Sequence, residues 1–159
     1  QTELTTKVAQ KGKSINLKKG QFLSPNDVEK IVLKIKNAGN NNITITERGT
    51  CFGYRDLMVD PRSFLILKKL NYPVFFDVGH SVRKNGFPSS NIKDGGQKEF
   101  GETYARSAIS NFVDGLFIEV HPDPKNAKCD AATQFSFNEF EKLMTNVKPL
   151  WDFVNSNKG

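Results

Sequence analysis

The chain has 159 residues, 37% of them hydrophobic and 25% charged, which suits one globular domain with a real core. Its net charge of +6 raises nucleic acid as a partner, but the Lys and Arg are scattered over predicted helices without interleaved aromatics, and a site for anionic small molecules is an equally simple use of the charge. No apolar run nears the ~20 residues that span a bilayer, and Gln1-Thr2-Glu3-Leu4 lacks the basic-then-apolar order of a secretory signal, so a cytoplasmic location with no membrane contact is expected.

Ser14 to Lys18 reads as a short strand running into the loop Lys19-Gly20-Gln21-Phe22. A helix follows: Ser24 can cap it, Pro25 suits its first position, Asp27 completes a weak capping box, and Val28, Ile31, Val32 and Ile35 recur at helical spacing. Ala38-Gly39-Asn40 stops it. The same order then recurs. Ile43 to Thr46 is a strand, Glu47 to Val59 a long loop, and Asp60-Pro61 opens a helix carrying Phe64, Leu65, Leu67 and Leu70. Pro73 to Asp77 is a third strand, leading through a polar loop to a helix from about Glu99 to Asn111. Gly115 to Glu119 is a fourth, leading through His121-Pro122-Asp123-Pro124 to a last helix from about Asn138 to Asn155, whose buried stripe is Phe140, Leu143, Val147, Leu150 and Trp151.

Four consecutive βα units imply parallel strands with right-handed crossovers and both strand faces covered, as the apolar runs Val74-Phe75-Phe76 and Leu116-Phe117-Ile118 require. An open doubly wound sheet and a segment of a (β/α)8 barrel both satisfy that order. The open sheet usually brings a Gly-rich phosphate turn after its first strand, and Lys18-Lys19-Gly20-Gln21-Phe22 is no such turn. Polar residues instead close every strand: Lys18, Arg48, Asp77 with His80, and Glu119 with His121. That distribution favours a TIM barrel, whose chemistry gathers at the carboxyl ends of its strands; four βα units are half of its eight, a half barrel in one domain over residues 1–159.

Lys18 and Arg48 end neighbouring strands, so their cations can converge on a phosphate or carboxylate; the bland alternative is two snorkelling surface cations. Both histidines, His80 and His121, fall just after strand ends, and with Glu119 and Asp130 they could hold a divalent transition metal, although a lone His is more often structural. Residues 83–98, polar and holding Gly86, Gly95 and Gly96, read as a flexible lid loop, the alternative being an excursion without a role. Cys51 and Cys129 fit neither a CxxC metal knuckle nor a disulfide framework and are read as reduced thiols.

The strand-end strings Asn16-Leu17-Lys18-Lys19-Gly20-Gln21-Phe22-Leu23-Ser24-Pro25, Thr46-Glu47-Arg48-Gly49-Thr50-Cys51-Phe52-Gly53-Tyr54, Phe76-Asp77-Val78-Gly79-His80-Ser81-Val82, Gly95-Gly96-Gln97-Lys98-Glu99-Phe100 and Gly115 to Pro124 resemble, in order and spacing, the C-terminal half of the 3-deoxy-D-manno-octulosonate 8-phosphate synthases. The resemblance implies a transferase of the aldolase-type barrel class that condenses phosphoenolpyruvate with arabinose 5-phosphate, working as a cytoplasmic homotetramer in the biosynthesis of the Kdo sugar of lipopolysaccharide. It also implies that Lys18, Arg48 and His80 are catalytic residues that hold phosphoenolpyruvate, and that His80, Glu119 and Asp130 match three ligands of the metal (Zn, Fe or Mn) used by one branch of the family. The fourth ligand of that branch is a Cys near the start of the full-length chain, a position that neither Cys51 nor Cys129 occupies. Departures from the pattern are Gly79 for a usual Thr, Arg83 where Gln is common, and Lys98 for Arg. The family's first four units, which carry the sugar-phosphate contacts, have no counterpart in these residues, so inactivity alone is expected. A heptulosonate phosphate synthase with another aldose phosphate acceptor, and a non-catalytic phosphate-binding half barrel, are the competing readings.

Overall fold

The computed structural model describes residues 1–54 and 56–157; Arg55, which falls in the predicted loop from Glu47 to Val59, and Lys158 and Gly159 lie outside the described residues. In chain order the elements are helix α1 (Thr2–Ala9), strand β1 (Ile15–Lys18), helix α2 (Val28–Asn37), strands β2 (Ile43–Glu47), β3 (Thr50–Cys51) and β4 (Leu57–Met58), helix α3 (Arg62–Lys68), strand β5 (Val74–Asp77), the short helix α4 (Val78–Ser81), helix α5 (Gly101–Ser110), strand β6 (Gly115–Phe117) and helix α6 (Phe137–Ser156). Short 3-10 turns precede α2, α5 and α6 at Pro25–Asp27, Lys98–Phe100 and Pro124–Asn126.

The main sheet is wholly parallel and its order, β1-β2-β5-β6, follows the chain. Right-handed crossovers between strands laid down in sequence put every connecting helix on one face, whereas a doubly wound sheet reverses direction to cover both. The competition between the two architectures is thereby decided for the barrel segment. Side chains alternate accordingly. Ile15, Leu17, Ile43, Ile45, Val74, Phe76 and Leu116 face the helices and join Val32, Ile35, Phe64, Leu67, Ala105, Ile109, Leu143 and Val147 in the core. Asn16, Lys18, Thr46, Phe75, Asp77 and Phe117 share the opposite face, as the strand register dictates. Thr46 Oγ1 donates to Asn16 Oδ1 there at 2.6 Å.

Several expectations need correction. Helix α1 lies ahead of the first predicted strand; it packs on α2 and buries Ala9, whose carbonyl accepts from the Asn40 amide at 3.2 Å. The predicted loop 47–59 contains the antiparallel hairpin β3–β4. Ser24 does cap its turn, but Asp27 returns a carboxylate to the Ser24 hydroxyl at 2.7 Å instead of closing a box on the backbone; the reciprocal box belongs to α6, between Ser136 and Glu139. Of the apolar residues that the third predicted helix carries, Phe64 and Leu67 are buried, Leu70 packs against the core just past α3, and Leu65 is 62% exposed. The run Leu116-Phe117-Ile118 is half-buried instead of covered on both faces, because no strand pairs with the outer edge of β6 among the described residues. No helix among the described residues is long and apolar enough to cross a membrane.

Candidate active site at the strand ends

The carboxyl ends of β1, β2, β5 and β6 carry the side chains that converge. Strand β5 reads Val-Phe-Phe-Asp, three apolar residues and then a carboxylate with no exposure at all. Burying a carboxylate is costly unless every oxygen is paired, and Asp77 is paired on both. Its Oδ1 accepts from the His80 backbone N–H at 2.9 Å, capping α4, while Oδ2 lies 2.9 Å from His80 Nδ1 and 2.6 Å from Lys18 Nζ. Burial alone would push the Asp77 carboxyl up; the bonds from His80 and Lys18 outweigh it and hold the group below the ordinary carboxylate range. Lys18 also stands over the Phe117 ring, 4.3 Å from its centroid.

With Nδ1 engaged by Asp77, the other ring nitrogen of His80 is turned outward. His80 Nε2 lies 3.6 Å from Asp130 Oδ2, and ligand atoms of His80, Glu119 and Asp130 all fall within 4.8 Å of one another. Tetrahedral ligands about 2.1 Å from one ion stand about 3.4 Å apart, so these three donors, one nitrogen and two carboxylate oxygens, could hold a divalent transition ion once they draw together by about an ångström. Asp77, bonded to His80 Nδ1, sets the orientation of the imidazole and leaves Nε2 toward Asp130. Asp130 sits at φ +50°, a left-handed backbone that Asp tolerates, and its carbonyl accepts from Thr133 N and Gln134 N. His121, the other histidine, is outside the cluster: its Nδ1 accepts from Asp123 N at 3.0 Å and shapes the Pro122 turn. Cys51 is half-buried with the Asn85 amide 3.5 Å from its sulfur, Cys129 is exposed, and both are free thiols.

Arg48 follows β2 directly. Its Nη1 donates to Gln21 Oε1 at 3.3 Å, while its Nε is buried with no hydrogen-bond partner. Burial lowers the guanidinium below its usual range; Asp77 opposes that most strongly, Arg83 adds to it, and Asp130 opposes it again. The backbone around it is held by Glu47, whose Oε1 accepts from Arg48 N at 2.9 Å and Gly49 N at 2.7 Å.

Residues 83–98 form turns braced against the rim. Arg83 bridges to Gly96 and Lys84 to Asp56, and Ser89 accepts from Ala132 N at 3.0 Å. Gly95 and Gly96 lie so close to the backbone of Pro88, Asn91 and Ala132 that a side chain at either would collide. The loop ends at Lys98, whose Nζ bonds Gln134 O and both oxygens of Glu139.

Lys18, His80, Glu119 and Asp130, all singled out from the sequence, are thus brought together, with Arg48 in the electrostatic field of two of their carboxylate neighbours. The shared acceptor Asp77 and the buried Lys19 were missed as site residues. A carboxylate closing an apolar strand three residues before a histidine was the available signal for the first. Two lysines in succession at a strand end, which must point to opposite faces, was the signal for the second.

The model of the DAHP synthetase I family matches residues 1–154. Among curated proteins the chain is 44% identical over 155 residues to a 2-dehydro-3-deoxyphosphooctonate aldolase of Geobacter sp. (strain M21), covering 98% of this chain and 56% of that one. It is 42% identical over 154 residues to the protein of the same name from Protochlamydia amoebophila, covering 97% and 55%. With the Desulfotalea psychrophila protein of that name it shares 42% over 147 residues, 92% and 52%. The chain spans about half the length of the curated relatives it matches.

Proposed function

The chain belongs to the DAHP synthetase I family, and from that premise we propose that it supplies the phosphoenolpyruvate side of a synthase that makes 3-deoxy-D-manno-octulosonate 8-phosphate. Carbon 3 of phosphoenolpyruvate attacks the aldehyde carbon of arabinose 5-phosphate, forming the new carbon–carbon bond. Water adds at carbon 2, and inorganic phosphate leaves as the carbon 2–oxygen bond breaks. The names of the relatives support this acceptor over erythrose 4-phosphate, whose condensation would give the heptulosonate product instead.

The observation that carries the reading is Arg48: a guanidinium with its Nε buried and unpartnered, directly after β2, the strand paired with the one that Lys18 ends. An unsatisfied buried donor is costly, and an anionic group that accepts from it recovers that cost. Arg48 would grip the phosphate or carboxylate of phosphoenolpyruvate through its planar fork, and Lys18 would add a point charge from the neighbouring strand. His80, oriented by Asp77, faces the same rim and would lie close to the bound phosphoenolpyruvate. His80, Glu119 and Asp130 would hold a divalent metal, which when bound polarises the aldehyde or the attacking water. Residues 83–98, braced at both ends, would exclude water over the substrates.

The complete protein, with the units that carry the sugar-phosphate contacts, is proposed to work as a cytoplasmic homotetramer in Kdo biosynthesis. Phe22, Phe52 and Tyr54, exposed by 78%, 76% and 72% on the loops of this rim, support association between copies.

Calorimetry of phosphoenolpyruvate binding to the chain, repeated on Arg48→Ala, tests the anion site: an affinity at least about tenfold weaker is expected, and equal affinity refutes the role. In the full-length parent, phosphate release should require arabinose 5-phosphate, and a preference for erythrose 4-phosphate would shift the reading to the heptulosonate synthases.

A further inference from the structure

Strand alternation sends Lys19 away from Lys18 and into the protein. Its side chain has no exposure, and the carboxylate it meets, Glu47, has 1%. Lys19 Nζ lies 3.3 Å from Glu47 Oε1, 2.8 Å from Thr50 Oγ1, 3.1 Å from Gly49 O, 3.2 Å from Leu23 O and 3.3 Å from Gly20 O. These acceptors come from two loops. Residues 20–23 leave β1 and present Gln21, the acceptor for Arg48 Nη1; residues 47–50 leave β2 and carry Arg48 itself. A third contact joins the same loops, from Cys51 N to Gln21 O at 2.8 Å.

Glu47 completes the tie. The oxygen that faces Lys19 also accepts from the backbone N–H of Arg48 and of Gly49, at 2.9 and 2.7 Å, so one carboxylate oxygen holds the turn on which the guanidinium is mounted. Gly49 takes φ +85° at that turn, a left-handed conformation that glycine adopts without steric cost. Burial of an ion pair adds little net stability by comparison with an apolar pair of the same volume. What it adds here is direction: an ammonium with three protons, ringed by acceptors from both loops, fixes their separation.

We propose that Lys19 and Glu47 are positioning residues that set the Arg48 turn, and through it the direction of the guanidinium, by suturing the loop after β1 to the loop after β2. Neither side chain touches substrate. The functional half of the proposal rests on Arg48 as the anion receptor; the structural half does not, and the two can be separated.

The test compares the chain with its Lys19→Met and Thr50→Val variants by site-resolved amide hydrogen exchange and by calorimetry with phosphoenolpyruvate. For Lys19→Met, exchange at the Arg48 and Gly49 amides should speed by about tenfold while Ile45 and Val74 in the sheet keep wild-type rates, the mark of a local opening. Phosphoenolpyruvate affinity should fall by about tenfold alongside it. Thr50→Val, which removes one acceptor and leaves the charge pair, should move both readings in the same direction by about threefold. A folded Lys19→Met chain with wild-type exchange at Arg48 and Gly49 overturns the proposal, and so does unchanged affinity beside faster exchange. If Lys19→Met does not fold, Thr50→Val decides by the same criteria. A wild-type chain that binds no phosphoenolpyruvate defeats the anion reading of Arg48, and the exchange rates then decide the suture alone.

Discussion

Asp77 Oδ2 accepts from Lys18 Nζ at 2.6 Å, reaching over the whole width of β2, the strand that separates theirs. The bond is possible because Lys18 and Asp77 end β1 and β5 on the same face of the sheet. The same oxygen also meets His80, so one buried carboxylate links the Lys18 ammonium to the imidazole that clusters with Glu119 and Asp130.

Replacing Asp77 by Asn keeps the volume but removes the charge shared by Lys18 and His80. Loss of charge-assisted bonds at a buried carboxylate should lower stability by about 2 kcal/mol in urea titrations. Cobalt(II) affinity, followed by visible absorbance, should fall by about ten- to a hundredfold because the imidazole loses the partner that orients it.

The two histidines should separate cleanly in the same assay. His80→Ala and Glu119→Gln each delete a donor from the cluster and should abolish or weaken cobalt(II) binding by at least about tenfold, whereas His121→Ala should leave it at the wild-type value, since His121 serves the turn at Asp123. Equal losses in all three variants would rule out the assignment.

At the start of α6, burial would raise the Glu139 carboxyl, but bonds from Lys98 and from Ser136 outweigh it and hold the group below its ordinary value of 4.5. A carboxyl lowered in the folded state contributes stability that is present above the unfolded value and is lost as pH falls through the folded one. The gap in urea midpoint between wild type and Glu139→Gln should therefore be full above about pH 5 and close as the solution is acidified below about pH 4. A gap independent of pH would show that the Lys98 and Ser136 contacts do not favour the ionised form.

Gly115 lies under the Phe75 ring, where an added Cβ would come within 2.7 Å of Cδ1. Gly115→Ala should cost about 2 kcal/mol by overpacking. Combined with Phe75→Ala, which vacates the ring, its effect should be less than additive, and strict additivity in a double-mutant cycle would contradict the contact.

How much of this was legible before the fold is visible residue by residue. The period of Val28, Val32 and Ile35, the run Val74-Phe75-Phe76 and the repetition of strand, loop and helix specified four βα units, and the polar residue closing each strand specified which end would carry chemistry. Local pattern suffices there because burial period and capping are properties of adjacent residues. The sequence also pointed to Lys18, Arg48, His80, Glu119 and Asp130 as one rim, although it also admitted His121.

Only the tertiary structure decided which histidine joins the carboxylates, that Asp77 serves two partners, and that Lys19 spends its charge inside the protein on Glu47. Those outcomes depend on strand register. Pairing Lys18 with Thr46, and Thr46 with Phe75, sets which side chains stand within about 3 Å across a strand; a register shifted by one residue would have turned every one of them to the other face, and no single strand's sequence records its alignment with its neighbours.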